Sequence, residues 1–162
     1  TMAVASGKVI GGANGLLAAA DIVVSSPESS FVFSEAKLGL IPATIAPYVI
    51  EKAGKSITRE WFLTARTISA NEAYNRGLVN FLADKQEIDR KSVELCDMLL
   101  QNGPGAQCSI KDMLRNYGNG ERPNSSLDET VDLLTSKRIS AEAQEGIMAF
   151  LEKRKPNWTD EI

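Results

Sequence analysis

The first twenty-five residues restrict the fold more than any other part of this 162-residue chain. Thr1-Met2-Ala3-Val4-Ala5-Ser6-Gly7-Lys8-Val9-Ile10 is apolar and β-compatible, and Gly11-Gly12-Ala13-Asn14-Gly15 is a turn. Leu16-Leu17-Ala18-Ala19-Ala20 gathers strong helix formers, and Asp21-Ile22-Val23-Val24-Ser25 reads as a buried strand. Strand, glycine turn, short helix and strand in immediate succession open a strand-containing first half, ahead of an all-helical second half.

Ser26-Pro27-Glu28-Ser29-Ser30 is a further turn, and Phe31-Val32-Phe33 is a short strand running directly into Ser34-Glu35. Beyond Gly39-Leu40-Ile41-Pro42, Thr44 is placed to cap a helix through Lys52, with Pro47 in its first turn and Gly54 closing it. Ser56 is placed to cap the next, through about Thr64. Ser69-Ala70-Asn71-Glu72 fits a capping box, and Gly77 ends that helix before Leu78-Val79-Asn80-Phe81.

From there the pattern is helical. Ile88, Ser92, Val93, Cys96, Leu99 and Leu100 recur at helical spacing, as do Ile110, Met113, Leu114 and Tyr117. Two more helices are expected near Ser125 to Lys137 and Ala141 to Lys153, after a polar Gly118-to-Asn124 loop.

Composition removes whole classes of chemistry. With no histidine, Ser-His-Asp and Cys-His catalysis, HExxH metalloproteases and histidine proton shuttles are all excluded. Eighteen basic against twenty-one acidic residues give a net charge of −3, and the basic cluster Lys153-Arg154-Lys155 is too small to make a nucleic-acid surface. No apolar run approaches the roughly 20 residues that span a bilayer, and the start has no charged signal-peptide region, so neither membrane nor export is expected. Cys96 and Cys108 lack CxxC spacing and a histidine to complete a zinc site; they are expected to be buried, reduced thiols, in keeping with a cytoplasmic location and no metal.

Two places remain for chemistry. At Gly11-Gly12 the backbone can approach a ligand closely, and free N–H groups at a helix start can bind a phosphate or a developing oxyanion; the alternative is that the pair serves only the turn's φ/ψ. Gly7, Gly11, Gly12 and Gly15 do not form GxGxxG, and Gly54-Lys55-Ser56 lacks the earlier glycine of a phosphate loop. Glu35, held beside Phe31 and Phe33, is either a desolvated carboxylate able to exchange protons with a carbon acid or a helix-start carboxylate facing a dipole or a surface cation. Asp21 reads as a structural edge or turn carboxylate.

Together these segments resemble the crotonase (enoyl-CoA hydratase/isomerase) superfamily. The resemblance runs through Ala3 to Leu16, Ala20-Asp21-Ile22, Phe33 to Pro42, Phe62-Leu63-Thr64, Ile68-Ser69-Ala70, Glu72-Ala73, Gly77-Leu78-Val79, Glu145-Gly146 and Ala149 to Pro156. It implies an α/β crotonase-like ββα spiral, partial because the N-terminal strands would be missing, over residues 1–82, and a C-terminal helical trimerisation region over residues 83–162. The substrate it implies is an acyl-CoA thioester, with coenzyme A part of the substrate and no separate cofactor. A homotrimer or a hexamer of two trimers is the implied assembly.

By the same resemblance, the Gly12 N–H is one of two oxyanion donors to the thioester oxygen, and Glu35 exchanges a proton at substrate carbon. Gly11, Ile41 and Pro42 line the substrate, while Phe150 and Lys153 help enclose coenzyme A. The other donor would belong to the missing N-terminal portion. Lys8 and Lys37 stand near the motif residues but read as ordinary solvated charges.

Two departures narrow the reading. Gly15 stands where well-known hydratases carry a second glutamate, and Ala43 to Ile50 replaces a stretch that is glycine-rich in many members. With the Lys-Pro-x-Trp ending at Trp158, these look most like the methylglutaconyl-CoA hydratase group and its isohexenylglutaconyl-CoA relatives. Hydration of a 3-methylglutaconyl-type thioester is therefore expected, with double-bond isomerisation by a single glutamate, or non-catalytic acyl-CoA binding, as the alternatives.

Overall fold

The computed structural model describes residues 1–118 and 127–159. They belong to two compact units, Thr1–Glu94 and Leu95–Ile162.

In the first unit the opening apolar stretch is two strands rather than one. β1 (Met2–Ala5) and β2 (Lys8–Ile10) are separated at Gly7, whose φ of 100° lies in the left-handed region that favours glycine. The short helix α1 (Ala13–Ala19) leads to β3 (Ile22–Ser25) and β4 (Ser30–Val32). β1 pairs in parallel with β3, Met2 opposite Ile22, and β2 pairs in parallel with β4, Lys8 opposite Ser30. Each pass of the chain therefore gives one strand to each of two sheets.

The corner between β3 and β4 is built from buried serines. Ser26 N–H donates to the Ala5 carbonyl at 3.0 Å, and Ser29 Oγ donates to the same carbonyl at 3.2 Å while accepting from Gly7 N–H at 3.2 Å. The Ser26 N–H and the Ser29 hydroxyl satisfy backbone groups that the bend takes out of the ladders.

A single 3₁₀ turn, Glu35–Leu38, follows, and then α2 (Ala46–Ala53) and α3 (Lys55–Thr64). Neither expected cap is used: α2 starts from Ile45 and α3 from Gly54, which also ends α2. β5 (Ile68–Ser69) runs antiparallel to β4 and β6 (Phe81–Leu82) parallel to β3, completing sheets ordered β1-β3-β6 and β2-β4-β5. Between them lies α4 (Ala70–Asn75), capped by Ser69, whose Oγ accepts from Glu72 N–H at 3.1 Å.

The core is aromatic and β-branched. Phe31, Phe33, Val49, Trp61 and Ile68 are all within 1% of complete burial, and the Phe33 and Trp61 rings stack at 5.9 Å between centroids. Trp61 Nε1 donates to Glu72 at 3.2 Å, and Arg66 grips both Glu60 and Glu72. The Arg66 guanidinium, with help from the indole, holds the Glu72 carboxyl down at about 2.

α5 (Ile88–Leu100) crosses the division between the units. The second unit continues with α6 (Pro104–Gly118), α7 (Leu127–Arg138) and α8 (Ala141–Glu152). Glu142 caps α6, accepting from Gly105 N–H and Ala106 N–H at 2.8 Å each. The expected loop after Gly118 and the expected helix start at Ser125 fall at positions 119–126, outside the described residues.

Cys96 and Cys108 correct an expectation: both are exposed, not buried. On α5 the buried positions are Ile88 and Leu95, and Cys96 lies one residue, about 100° of helix rotation, away from Leu95.

Candidate active site

The glycine turn and the carboxylate stand together in the first unit. β2 and β4 are hydrogen-bonded neighbours, so the residues leaving their C-terminal ends emerge side by side. Gly11 N–H donates to the Val32 carbonyl at 2.8 Å, fastening the turn to the strand that leads into Glu35. Gly11 has a φ of 55°, and a Cβ there would lie 3.5 Å from Glu35 Oε1 and 3.6 Å from Ser34 Oγ. Glycine is thus favoured by its backbone angle, and the Glu35 carboxylate lies within ordinary contact distance of it.

Glu35 Oε2 is buried and has no hydrogen-bond partner among the described residues. An oxygen in that state has given up water without a replacement donor, an arrangement that structural carboxylates avoid and proton-transfer groups use. The position of Glu35 at the start of a single 3₁₀ turn does not provide a cap hydrogen bond.

Gly12 is the exposed first residue before α1, with φ −55° and ψ −24°, and its N–H meets no backbone acceptor among the described residues. A free backbone donor therefore adjoins the residue that touches the Glu35 carboxylate. α1 starts at Ala13, three residues before the Leu16 start expected from the sequence, so Gly12 itself occupies the cap position.

Gly15 is buried in α1 beneath Ile45. A Cβ on residue 15 would lie 2.2 Å from Ile45 Cγ2 and 2.8 Å from Ile45 Cβ. The two sequence departures are one packing feature, because Ile45, from the segment after Pro42, fills the space a side chain at 15 would need.

Ile41 is 80% exposed and Pro42 half-buried, on the segment between the Glu35 turn and Ile45. Lys8 and Lys37 are exposed. Phe150 and Lys153 belong to the second unit; Phe150 is 80% exposed, and Lys153 ends α8 with a left-handed φ of 55°.

Other matched positions turn out to hold the fold. Glu145 accepts from the Arg154 guanidinium and from Asn157 N–H, and Trp158 lies over Gly146, where a Cβ would meet Cη2 at 3.0 Å. Hydrogen bonds from Arg154 and Asn157 hold the Glu145 carboxyl down at about 2. An apolar cavity lined by Ile110, Met113, Leu133, Leu134 and Trp158 lies in the second unit. Its carboxylate, Glu142, is committed to the α6 cap.

Residues 1–161 match the enoyl-CoA hydratase/isomerase family. The chain belongs to that family. It is 30% identical over 166 residues to a carnitinyl-CoA dehydratase of Proteus mirabilis, covering 97% of this chain and 62% of that protein. It is 29% identical over 154 residues to a methylmalonyl-CoA decarboxylase of Escherichia coli, covering 94% of this chain and 59% of the relative. The crystal structure of an enoyl-CoA hydratase from Shewanella pealeana superposes with a TM-score of 0.89 at 36% identity, over 96% of this chain and 58% of that one. The chain thus spans about three-fifths of the length of these family members, and its α/β fold is crotonase-like. No helix among the described residues is long and apolar enough to cross a membrane.

Sequence reasoning passed over Asn14 and Ile45. Asn14 sits within a run of turn-forming residues, which hides a wholly buried side chain, and Ile45 is an unremarkable apolar position in the first turn of the helix expected after Thr44.

Proposed function

We propose that this chain carries the acid–base half of an enoyl-CoA hydratase, adding water across the double bond of a 2-enoyl-CoA thioester. The observation behind the proposal is the buried, unpartnered Glu35 oxygen on a carboxylate that lies against the Gly11-Gly12 turn. As the oxygen of water bonds to the β-carbon, negative charge gathers on the thioester oxygen, where the Gly12 N–H supplies a donor. Glu35 delivers a proton to the α-carbon and regains one from the added water, so that water is the only net reactant consumed. One such donor is typically worth about 2.7–4 kcal/mol of barrier.

Gly15, the Ala43-to-Ile50 segment and Trp158 support a 3-methylglutaconyl-type acyl group. Gly11, Ile41 and Pro42 are assigned to the acyl group and Phe150 and Lys153 to coenzyme A, in a trimer or hexamer whose subunits combine a spiral core, partial in this chain, with a helical trimerisation region. A second reading, isomerisation of a 3-enoyl-CoA, is favoured by Ile45 filling the place of a residue-15 side chain, since moving one proton between carbons needs one carboxylate.

The test is hydration of 3-methylglutaconyl-CoA by the full-length protein and by its Glu35→Gln variant, followed by loss of enoyl absorbance. The variant should lose roughly 10²–10⁴ in kcat, and an undiminished rate refutes the role of Glu35. Conversion of 3-enoyl-CoA to the 2-enoyl isomer without water incorporation distinguishes the second reading.

A further inference from the structure

Asn14 is wholly buried, and its side chain is spent on backbone carbonyls. Nδ2 donates to the Val32 carbonyl at 3.0 Å, to the Gly11 carbonyl at 3.2 Å and, at the longer distance of 3.4 Å, to the Val9 carbonyl. Its other amide atom, Oδ1, is buried with no partner among the described residues. Burying that oxygen is a cost an apolar residue would not incur, so the Nδ2 contacts must do something that packing does not.

At two of these carbonyls, satisfying a lone acceptor is not the reason. The Gly11 carbonyl already accepts from Asn14 N–H at 3.0 Å, and the Val32 carbonyl already accepts from Gly11 N–H at 2.8 Å. The second bonds on each fix direction. The Gly11 C=O and the Gly12 N–H are opposite edges of one trans, planar peptide unit, so holding the carbonyl aims the N–H the other way. Val32 stands three residues before Glu35 on the same strand exit.

Resting on the reading above, in which Gly12 and Glu35 act on one thioester, we propose that Asn14 is a positioning residue that aims the Gly12 N–H and keeps it in register with Glu35. Its two N–H groups bridge the peptide that carries the donor and the strand that carries the acid. Misplacement of about 1 Å at a reacting centre is enough for a roughly 10²-fold loss of rate.

The experiment compares Asn14→Asp, which keeps the shape but sets a carboxylate against the Val32, Gly11 and Val9 carbonyls, with Asn14→Ser, which keeps one small donor. Folding is read first, by circular dichroism and Tm. In folded variants kcat for enoyl-CoA should fall roughly 10²-fold for the aspartate and less for the serine, with KM little changed, because only transition-state contacts are lost. A wild-type kcat in either folded variant, or a raised KM at constant kcat, overturns the proposal. Should Asn14→Asp fail to fold, Asn14→Ser decides alone. If the wild-type protein turns over no enoyl-CoA, the functional reading fails separately, and the clamp is then read from the Gly12 amide resonance by NMR. A shifted and faster-exchanging Gly12 N–H in Asn14→Ser supports the clamp; an unchanged one overturns it.

Discussion

Adding a single methyl group at Gly15 tests the packing that distinguishes this site. The new Cβ would stand 2.2 Å from Ile45 Cγ2 and 2.8 Å from Ile45 Cβ, whereas carbon atoms sit comfortably at about 3.5–4.0 Å. Ile45 must therefore retreat by more than 1 Å, although it is only 8% exposed and anchored by its N–H on the Pro42 carbonyl at 3.2 Å. Overpacking of a core typically costs about 1–3 kcal/mol, and the overlap reaches the β-carbon, so the upper end applies. Replacing a helical glycine with alanine returns about 1 kcal/mol. The expected net loss is about 2 kcal/mol, a fall of roughly 4–8 °C in Tm for a protein of this size. Ile45→Gly should relieve the clash, because the nearest remaining Ile45 atom is Cα at 3.7 Å, whereas Ile45→Ala leaves the offending Cβ in place. Denaturant unfolding of the two single variants and of Gly15→Ala/Ile45→Gly closes a double-mutant cycle. A coupling of about 1–3 kcal/mol in favour of the double variant is expected, and additivity within about 0.5 kcal/mol refutes the argument.

Two further outcomes follow from side chains away from the site. The depressed Glu72 carboxyl contributes stability that is fully present above its ordinary value of 4.5 and is lost as pH falls towards about 2. Arg66→Gln should raise that pKa, move the acid-unfolding midpoint upward and, after allowance for solvent screening, cost about 1 kcal/mol at neutral pH; an unmoved acid transition would count against it. Because Cys96 and Cys108 are both exposed, a thiol reagent should modify both in the native protein without denaturant. Modification only after unfolding would contradict their placement.

The parts legible in the sequence are those with local causes. The apolar run of β3 and the glycines of the turn are specified by their own residues, and the Ser69 cap is visible because its partner is three positions away. What escaped detection depends on distant residues. β5 and β6 are two residues each, and pairing with β4 and β3, rather than their own composition, makes them strands. Ser69 and Glu72 form only half a capping box, because the Glu72 carboxylate is taken by Arg66 and Trp61. Thr44 and Ser56 are sound caps by composition, yet Ile45 is drawn onto Gly15 and Gly54, at φ 88°, turns the chain from α2 directly into α3. The carboxylate and the glycine turn were legible individually, but their contact requires the β2–β4 register, which no local pattern encodes.

The C-terminal motif shows why matched positions need separate physical arguments. At Lys153 the chain turns left-handed, its N–H reaching the Phe150 carbonyl at 3.3 Å and that of Arg154 the Ala149 carbonyl at 3.0 Å. This reversal carries the Arg154 guanidinium back to Glu145, at 2.6 and 2.9 Å, and brings Trp158 over Gly146. The charge of Arg154 is thereby committed to an internal pair, whereas Lys153 contributes its backbone to the reversal and leaves its side chain exposed. Within the basic cluster Lys153-Arg154-Lys155, the fold accounts for the arginine and not for the lysine ammonium groups. A ligand phosphate approaching α8 would accordingly meet the exposed lysines first, because taking Arg154 would require breaking its bidentate pair with Glu145.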